Sequence, residues 1–179
     1  MKLYFLRHGE SVANFEERYT GQLDVALTDK GRAQAAVAGR AIFESGLSFD
    51  KIVSSPLDRA HETATIIARL IGYDEAAIID EPLIMERYFG DLQGKTKAET
   101  GILTGEQIEN SGAETDQDLR NRAKEFLAKI RQDDAQKILV VSHNGFGQRL
   151  RSVIYGTDPE EAWRTPSFPN AELVELGEI

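Results

Sequence analysis

The segment Lys2-Leu3-Tyr4-Phe5-Leu6-Arg7-His8-Gly9 sets the reading of this chain. Residues 2–6 form a short apolar run ahead of a polar turn that contains a glycine, which reads as a buried strand. The pattern returns in Lys137-Ile138-Leu139-Val140-Val141-Ser142-His143, a strand over 137–141 with a histidine just past its end.

The segments around these two strands alternate in type. Residues 28–45 read as a helix, with Thr28 as N-cap and Ala33, Val37, Ala41 and Ile42 on one stripe. A second strand is expected over 50–54. Ser55 then caps and Pro56 takes the first position of a helix that runs to about Leu70 and stops before Gly72. Residues 76–79 read as a short strand. The glycine-rich stretch 86–112 has no long period and reads as loops with short helical pieces. A helix over 116–131 has Leu119, Phe126, Leu127 and Ile130 on its apolar face, another helix starts near Gly145, and 171–176 reads as a last strand. Strands alternating with helices imply an α/β layered domain, a single one over residues 1–179. Pro159, Pro166 and Pro169 mark a loop and not a domain boundary.

Composition narrows the possible functions. The chain has 179 residues, 41% hydrophobic and 28% charged, which is ordinary globular usage. Its apolar runs are too short to cross a bilayer. The N-terminal run is broken by Arg7 and His8 and lacks a small-residue cleavage site, so a cytoplasmic protein is expected. The absence of cysteine excludes disulfides, thiol catalysis and cysteine-based metal sites. With no dense His/Asp/Glu spacing either, no metal and no cofactor are expected. A net charge of −9 repels polyanions, so neither nucleic acid nor an anionic membrane is an expected partner. A small anionic substrate would need a local cluster of Arg, Lys and His. Nothing in the pattern specifies an oligomer.

Two of the three histidines, His8 and His143, follow directly on strand ends, where functional residues of α/β sheets gather. Parallel strands bring such ends to one edge, so the two could face each other. Arg7 stands beside His8, and Arg59 follows the strand 50–54 in the first turns of its helix. Taken singly, each has an ordinary alternative as a cap or a solvated surface group. Together, two arginines and two histidines in one pocket suit a phosphoryl group.

Five ordered blocks carry a family resemblance. Arg7-His8-Gly9-Glu10-Ser11-Val12-Ala13-Asn14 resembles the signature of the histidine phosphatase superfamily, which includes the cofactor-dependent phosphoglycerate mutases. Thr20-Gly21-Gln22-Leu23-Asp24 with Leu27-Thr28-Asp29-Lys30-Gly31, Ser54-Ser55-Pro56-Leu57-Asp58-Arg59-Ala60, Glu86-Arg87-Tyr88-Phe89-Gly90-Asp91-Leu92-Gln93-Gly94, and Val141-Ser142-His143 resemble its further blocks. The resemblance implies a three-layer α/β/α domain with a mostly parallel central sheet. It also implies that His8 is phosphorylated, that Arg7, Arg59 and His143 hold the phosphoryl oxygens, and that Glu86 donates the proton. Ser11 and Asn14 would help bind phosphate, and Thr20 and Gly21 would line the substrate side. Neighbouring Arg7 and Arg59 would disfavour a second positive charge and so keep His8 a neutral nucleophile. Burial and a phosphate dianion would favour the protonated form of Glu86. Glu10 is expected to make structural hydrogen bonds beneath the pocket, and His61 to be solvated.

Within the family the pattern divides hydrolase from mutase. Arg87 and Lys97 match positions where the mutases grip a second anionic group. The mutases also carry an arginine pair where this chain reads Asn110-Ser111-Gly112-Ala113-Glu114, which is closer to the family's phosphatases. The resemblance therefore favours a histidine-type phosphatase, a phosphomonoester hydrolase acting on a small phosphorylated metabolite. A phosphoglycerate mutase is the alternative, and a non-catalytic binding descendant a lesser one. Asn144 stands where the family usually has glycine, which puts the shape of that loop in question.

Overall fold

The computed structural model describes residues 1–157 and 166–179, and among these five strands make one sheet. They are β1 (Lys2–Arg7), β2 (Lys51–Ser54), β3 (Ile79–Asp80), β4 (Lys137–Ser142) and β5 (Leu173–Glu178). Their order is β3-β2-β4-β1-β5, with β5 antiparallel to β1 at one edge and the other pairings parallel. The helices are α1 (Val12–Phe15), α2 (Asp29–Glu44), α3 (Asp58–Ile71), α4 (Lys97–Thr100), α5 (Gly105–Glu109), α6 (Asp116–Ile130) and α7 (Asn144–Tyr155).

Successive strand residues point to opposite faces, and here both faces are covered. Leu3, Phe5, Ile138 and Val140 pack with Leu119 and Phe126 of α6 and with Phe146 and Leu150 of α7. Tyr4, Leu6, Leu139 and Val141 pack with Ala38 and Ile42 of α2 and with Ala60, Ala64 and Ile67 of α3. This three-layer α/β/α arrangement explains the continuous apolar runs, because a parallel strand with two covered faces has no solvent side to make polar. Each fully buried Leu, Ile or Phe contributes about 1.5–3 kcal/mol. No described helix is long and apolar enough to cross a membrane.

Three expectations need correction. The stripe of α2 is rotated: Ala33, Val37 and Ala41 face outward, and Ala35, Ala38, Gly39 and Ile42 are buried. Alanine on every side of this helix leaves periodicity little to choose with, whereas a Cβ at Gly39 would meet Leu70 of α3, so close helix contact selects the face. The helix α3 begins at Asp58, with Leu57 in the N-cap position, instead of at Pro56. Residues 76–79 divide into a 3₁₀ turn (Glu75–Ala77) and the two-residue β3. In the proline loop, Pro166 and Pro169 lie in irregular chain before β5, and Pro159 lies outside the described residues.

The loop after β1 reaches its position through a backbone contact. A Cβ on Gly9 would collide with the carbonyl of Gly31, and a Cβ on Gly31 would collide with the carbonyl of Glu10. Thr28 caps α2 through Gly31 N and donates to Glu10 O, so the start of α2 and the chain after His8 are locked together. Backbone cannot step aside as a flexible side chain can. Gly31→Ala is therefore expected to destabilise by about 1–3 kcal/mol in urea unfolding. Gly105→Ala, at an open position, should change stability far less. Equal effects of the two would mean that the contact carries no strain.

Candidate functional site

Sheet register assembles the site. Arg7 pairs with Ser142 and Ser54 with Val141. His8 N donates to Ser142 O at 2.9 Å and Ser55 N to Val141 O at 3.0 Å. The ends of β1, β4 and β2 thus deliver Arg7-His8, Ser142-His143 and Ser54-Ser55 side by side. The first turn of α3 adds Arg59. Thr63, one turn on, donates to Arg59 O at 2.7 Å and accepts from Gly9 N at 3.1 Å, tying the helix to the His8 loop.

His8 and His143 are buried, with ring centroids 5.1 Å apart. His8 Nδ1 lies 2.6 Å from Gly9 O. A carbonyl only accepts, which assigns the hydrogen to Nδ1 and a free lone pair to Nε2. His143 Nε2 meets Ser55 Oγ at 2.8 Å, and its buried Nδ1 has no protein partner among the described residues. Burial, then Arg59, then Arg7 push His8 well below the ordinary histidine range. Burial, Arg59, His8 and Arg7 do the same to His143. Both rings are therefore neutral near pH 7.

The arginines bond carbonyl oxygens. Arg59 donates from Nη1 to Leu23 O and from Nη2 to Gly21 O, both at 2.8 Å. Gly21 turns its carbonyl inward from a left-handed φ of 54°. Arg7 Nη1 donates to Phe168 O at 3.0 Å, while its Nε is buried without a partner among the described residues. Burial lowers Arg59 to about 10, so it stays charged at neutral pH.

Glu86 closes the site on the α7 side. Its Oε1 accepts from Arg87 N at 2.9 Å and Phe146 N at 3.2 Å, and its Oε2 accepts from Gly145 N at 3.1 Å. A Cβ at position 145 would meet Oε1, so Gly145 lets the carboxylate lie against the start of α7. Asn144 adopts no left-handed angle, and its Oδ1 accepts from Phe168 N at 2.9 Å. Its side chain thus holds the segment against which Arg7 rests.

The expected substrate residues divide. Ser11 is buried and forms a reciprocal capping box with Asn14 at the start of α1. Thr20 is half-buried on the loop that holds Arg59. Arg87 is not brought to the histidines. It is buried, its Nε donates to Glu114 O at 2.7 Å, and its Nη2 lies 3.4 Å from Glu109 Oε1. Burial and then Arg149 weigh against its charge, and Glu109, Asp116 and Glu114 oppose them through space, a balance that a sequence pattern does not display. Lys97 is exposed at the start of α4. Glu10 bonds Thr28 and Lys30, and His61 pairs with Asp80 at 2.7 Å outside the site.

Several residues at the site escaped the sequence reading. Ser55 contacts His143, Gln22 Nε2 donates to Glu86 O at 3.1 Å, and Asn170 Nδ2 donates to His8 O at 2.7 Å. Ser55 stands just before Pro56, where the sequence pattern reads as a helix cap. Asn170 gave no local signal, being 162 residues from its partner. Among the described residues no cluster of three or more His, Asp or Glu is placed to hold a metal.

The neutral histidines have a consequence for stability. In the unfolded chain a histidine takes its proton near pH 6.5. In the fold His8 and His143 resist it, so below that pH the unfolded state binds more protons and stability falls. Each contributes up to about 1.4 kcal/mol per pH unit. Urea unfolding from pH 7.5 to 5.5 should show this decline, and His8→Gln should make it shallower. A flat or rising profile would contradict the burial of neutral rings.

Comparison with known proteins agrees with this geometry. A 2,3-bisphosphoglycerate-dependent phosphoglycerate mutase of Bacteroides fragilis is 41% identical over 106 residues, 59% of this chain and 43% of the relative. One from Gloeobacter violaceus is 39% identical over 105 residues, 59% of this chain and 47% of the relative. The matched region thus spans less than half of either curated relative. Among solved structures, the alpha-ribazole phosphatase from Shigella flexneri superposes with a TM-score of 0.82 at 25% identity, over 97% of this chain and 88% of that one. YhfR of Bacillus stearothermophilus gives 0.84 at 25%, over 96% and 88%. The family model of the histidine phosphatase superfamily (branch 1) matches residues 3–178, and with its sheet edge of paired histidines and arginines this chain belongs to that superfamily.

Proposed function

We propose that this protein is a phosphomonoester hydrolase that works through a phosphohistidine on His8. One observation carries the reading: a neutral His8 with Nε2 free sits beside two buried nitrogens, Arg7 Nε and His143 Nδ1, that have no partner among the described residues. A phosphoryl group supplies both missing partners, an electrophile for Nε2 and oxygens for the donors. The Ser55 hydroxyl donates to His143 Nε2, which leaves the hydrogen on Nδ1 to meet a phosphoryl oxygen. Arg7 and Arg59 offset charge on the equatorial oxygens during in-line transfer. Asn14 and Ser11 bind phosphate, and Thr20 and Gly21 line the leaving-group side.

In the first step Nε2 forms the N–P bond, the P–O bond of the ester breaks, and Glu86 gives its proton to the leaving oxygen. In the second, water attacks phosphorus, Glu86 takes the water's proton, and the N–P bond breaks to release phosphate. The substrate is a small phosphorylated metabolite. The names of the mutase relatives favour a second reading, phosphoglycerate interconversion. That chemistry needs a second anion held while water is kept out. Arg87 is committed to Glu114 and Glu109, and no basic residue stands over 110–114, which favours the hydrolase. We also infer that the enzyme is metal-independent and cytoplasmic.

Rapid quench with a labelled phosphomonoester should trap label on His8 as an acid-labile, base-stable adduct that His8→Ala abolishes. Acid-stable label, or label on Ser or Asp, would sink the mechanism. With 3-phosphoglycerate and a priming amount of 2,3-bisphosphoglycerate, free phosphate should appear faster than 2-phosphoglycerate. Interconversion well above the best hydrolytic turnover would make the enzyme a mutase. Full activity is expected in excess chelator.

A further inference from the structure

The segment that carries Glu86 has an unusual set of hydrogen bonds. From Leu83, inside a 3₁₀ turn (Pro82–Ile84), to Glu86, four consecutive carbonyls are each taken by a side chain. Ile84 O accepts from Ser142 Oγ at 2.6 Å. The other three converge on one guanidinium. Arg122 of α6 donates from Nη1 to Leu83 O at 2.6 Å and to Met85 O at 3.0 Å, and from Nη2 to Glu86 O at 3.3 Å. Its remaining donors face Glu114, Nε to Oε1 at 2.6 Å and Nη2 to Oε2 at 2.7 Å. The same guanidinium lies 5.8 Å from the ring centroid of Phe146, whose N–H holds the Glu86 carboxylate.

We propose that Arg122 is a positioning residue for proton transfer, holding the main chain at Glu86 through three carbonyls; this rests on the reading of Glu86 as the proton donor. The carboxylate itself is held by three backbone N–H groups, from Arg87, Gly145 and Phe146. Those bonds are strongest to the charged form and weaken when Glu86 carries the proton it must deliver. The carbonyl bonds from Arg122 do not depend on that charge. They keep the acid in place in the state in which its own anchors are weakest, and Glu114 keeps the fork oriented. A lysine here could pair with Glu114 but could not reach three carbonyls in one plane.

The leaving group reveals the difference between positioning the acid and merely supporting the fold. Wild type, Arg122→Lys, Glu86→Gln and the double variant are compared on β-glycerophosphate and on p-nitrophenyl phosphate. The first leaves as a poor alkoxide that needs the proton, and the second hardly needs it. General acid catalysis contributes roughly 10²–10⁴-fold, and Arg122→Lys should forfeit about 10–100-fold of it in kcat on the alkyl ester, with KM unchanged and little loss on the aryl ester. In the Glu86→Gln background the lysine should add nothing. Equal losses on both esters, or full additivity with Glu86→Gln, would overturn the proposal. If Glu86→Gln itself fails to discriminate between the esters, the reading of Glu86 falls first and takes this one with it. Should Arg122→Lys melt far below wild type, Glu114→Gln, which loosens the fork while keeping its shape, must show the same ester dependence; a uniform loss there also overturns it.

Discussion

Arg59 is the largest fully buried side chain of the described protein, and it is charged. Removing a guanidinium from water costs several kcal/mol unless partners replace the solvent. Here the partners within bonding distance are neutral: the carbonyls of Gly21 and Leu23. Glu86 and Asp24 act only through space. The loop over 20–23 takes the form that turns two carbonyls onto Arg59, and Gly21 supplies the backbone angle. The outcome is a buried positive charge that is solvated but not neutralised.

That charge governs its neighbours. Burial first, and then this charge, hold both histidines neutral, which keeps a lone pair on His8. The charge also leaves the pocket in need of an anion in a chain whose net charge is −9. The two signs are compatible. An acidic surface lowers affinity for extended polyanions, while a small phosphate ester meets only the local field of Arg7 and Arg59. The close backbone contact of Gly9 with Gly31 packs the His8 loop against the start of α2.

The side of the pocket around Glu86 is built on a different principle. The arginines beneath the histidines bond backbone carbonyls without a carboxylate in contact, whereas the arginines around the acid loop are paired: Arg122 with Glu114, Arg87 with Glu109, Arg149 with Asp116. Paired charges are spent on structure, and unpaired ones remain for a ligand. Arg87 falls in the paired group, which is why a motif shared with the mutases does not by itself place a second anion site here.

The sequence by itself determined the strands β1, β2 and β4, the long helices α2, α3 and α6 between them, and the convergence of Arg7, His8, Arg59 and His143. Each of these follows from a local rule: apolar runs make doubly covered strands, caps and periodicity make helices, and parallel strand ends share an edge. The tertiary structure alone decided which face of α2 is buried, where α3 begins, whether Arg87 faces the substrate or the interior, and which nitrogen of His8 carries its proton. It alone revealed Ser55, Asn170 and Arg122 at the site. These depend on partners far away in the chain, and no local pattern specifies them. A guanidinium goes where buried carbonyls and carboxylates need its donors, and only the assembled fold says where that is.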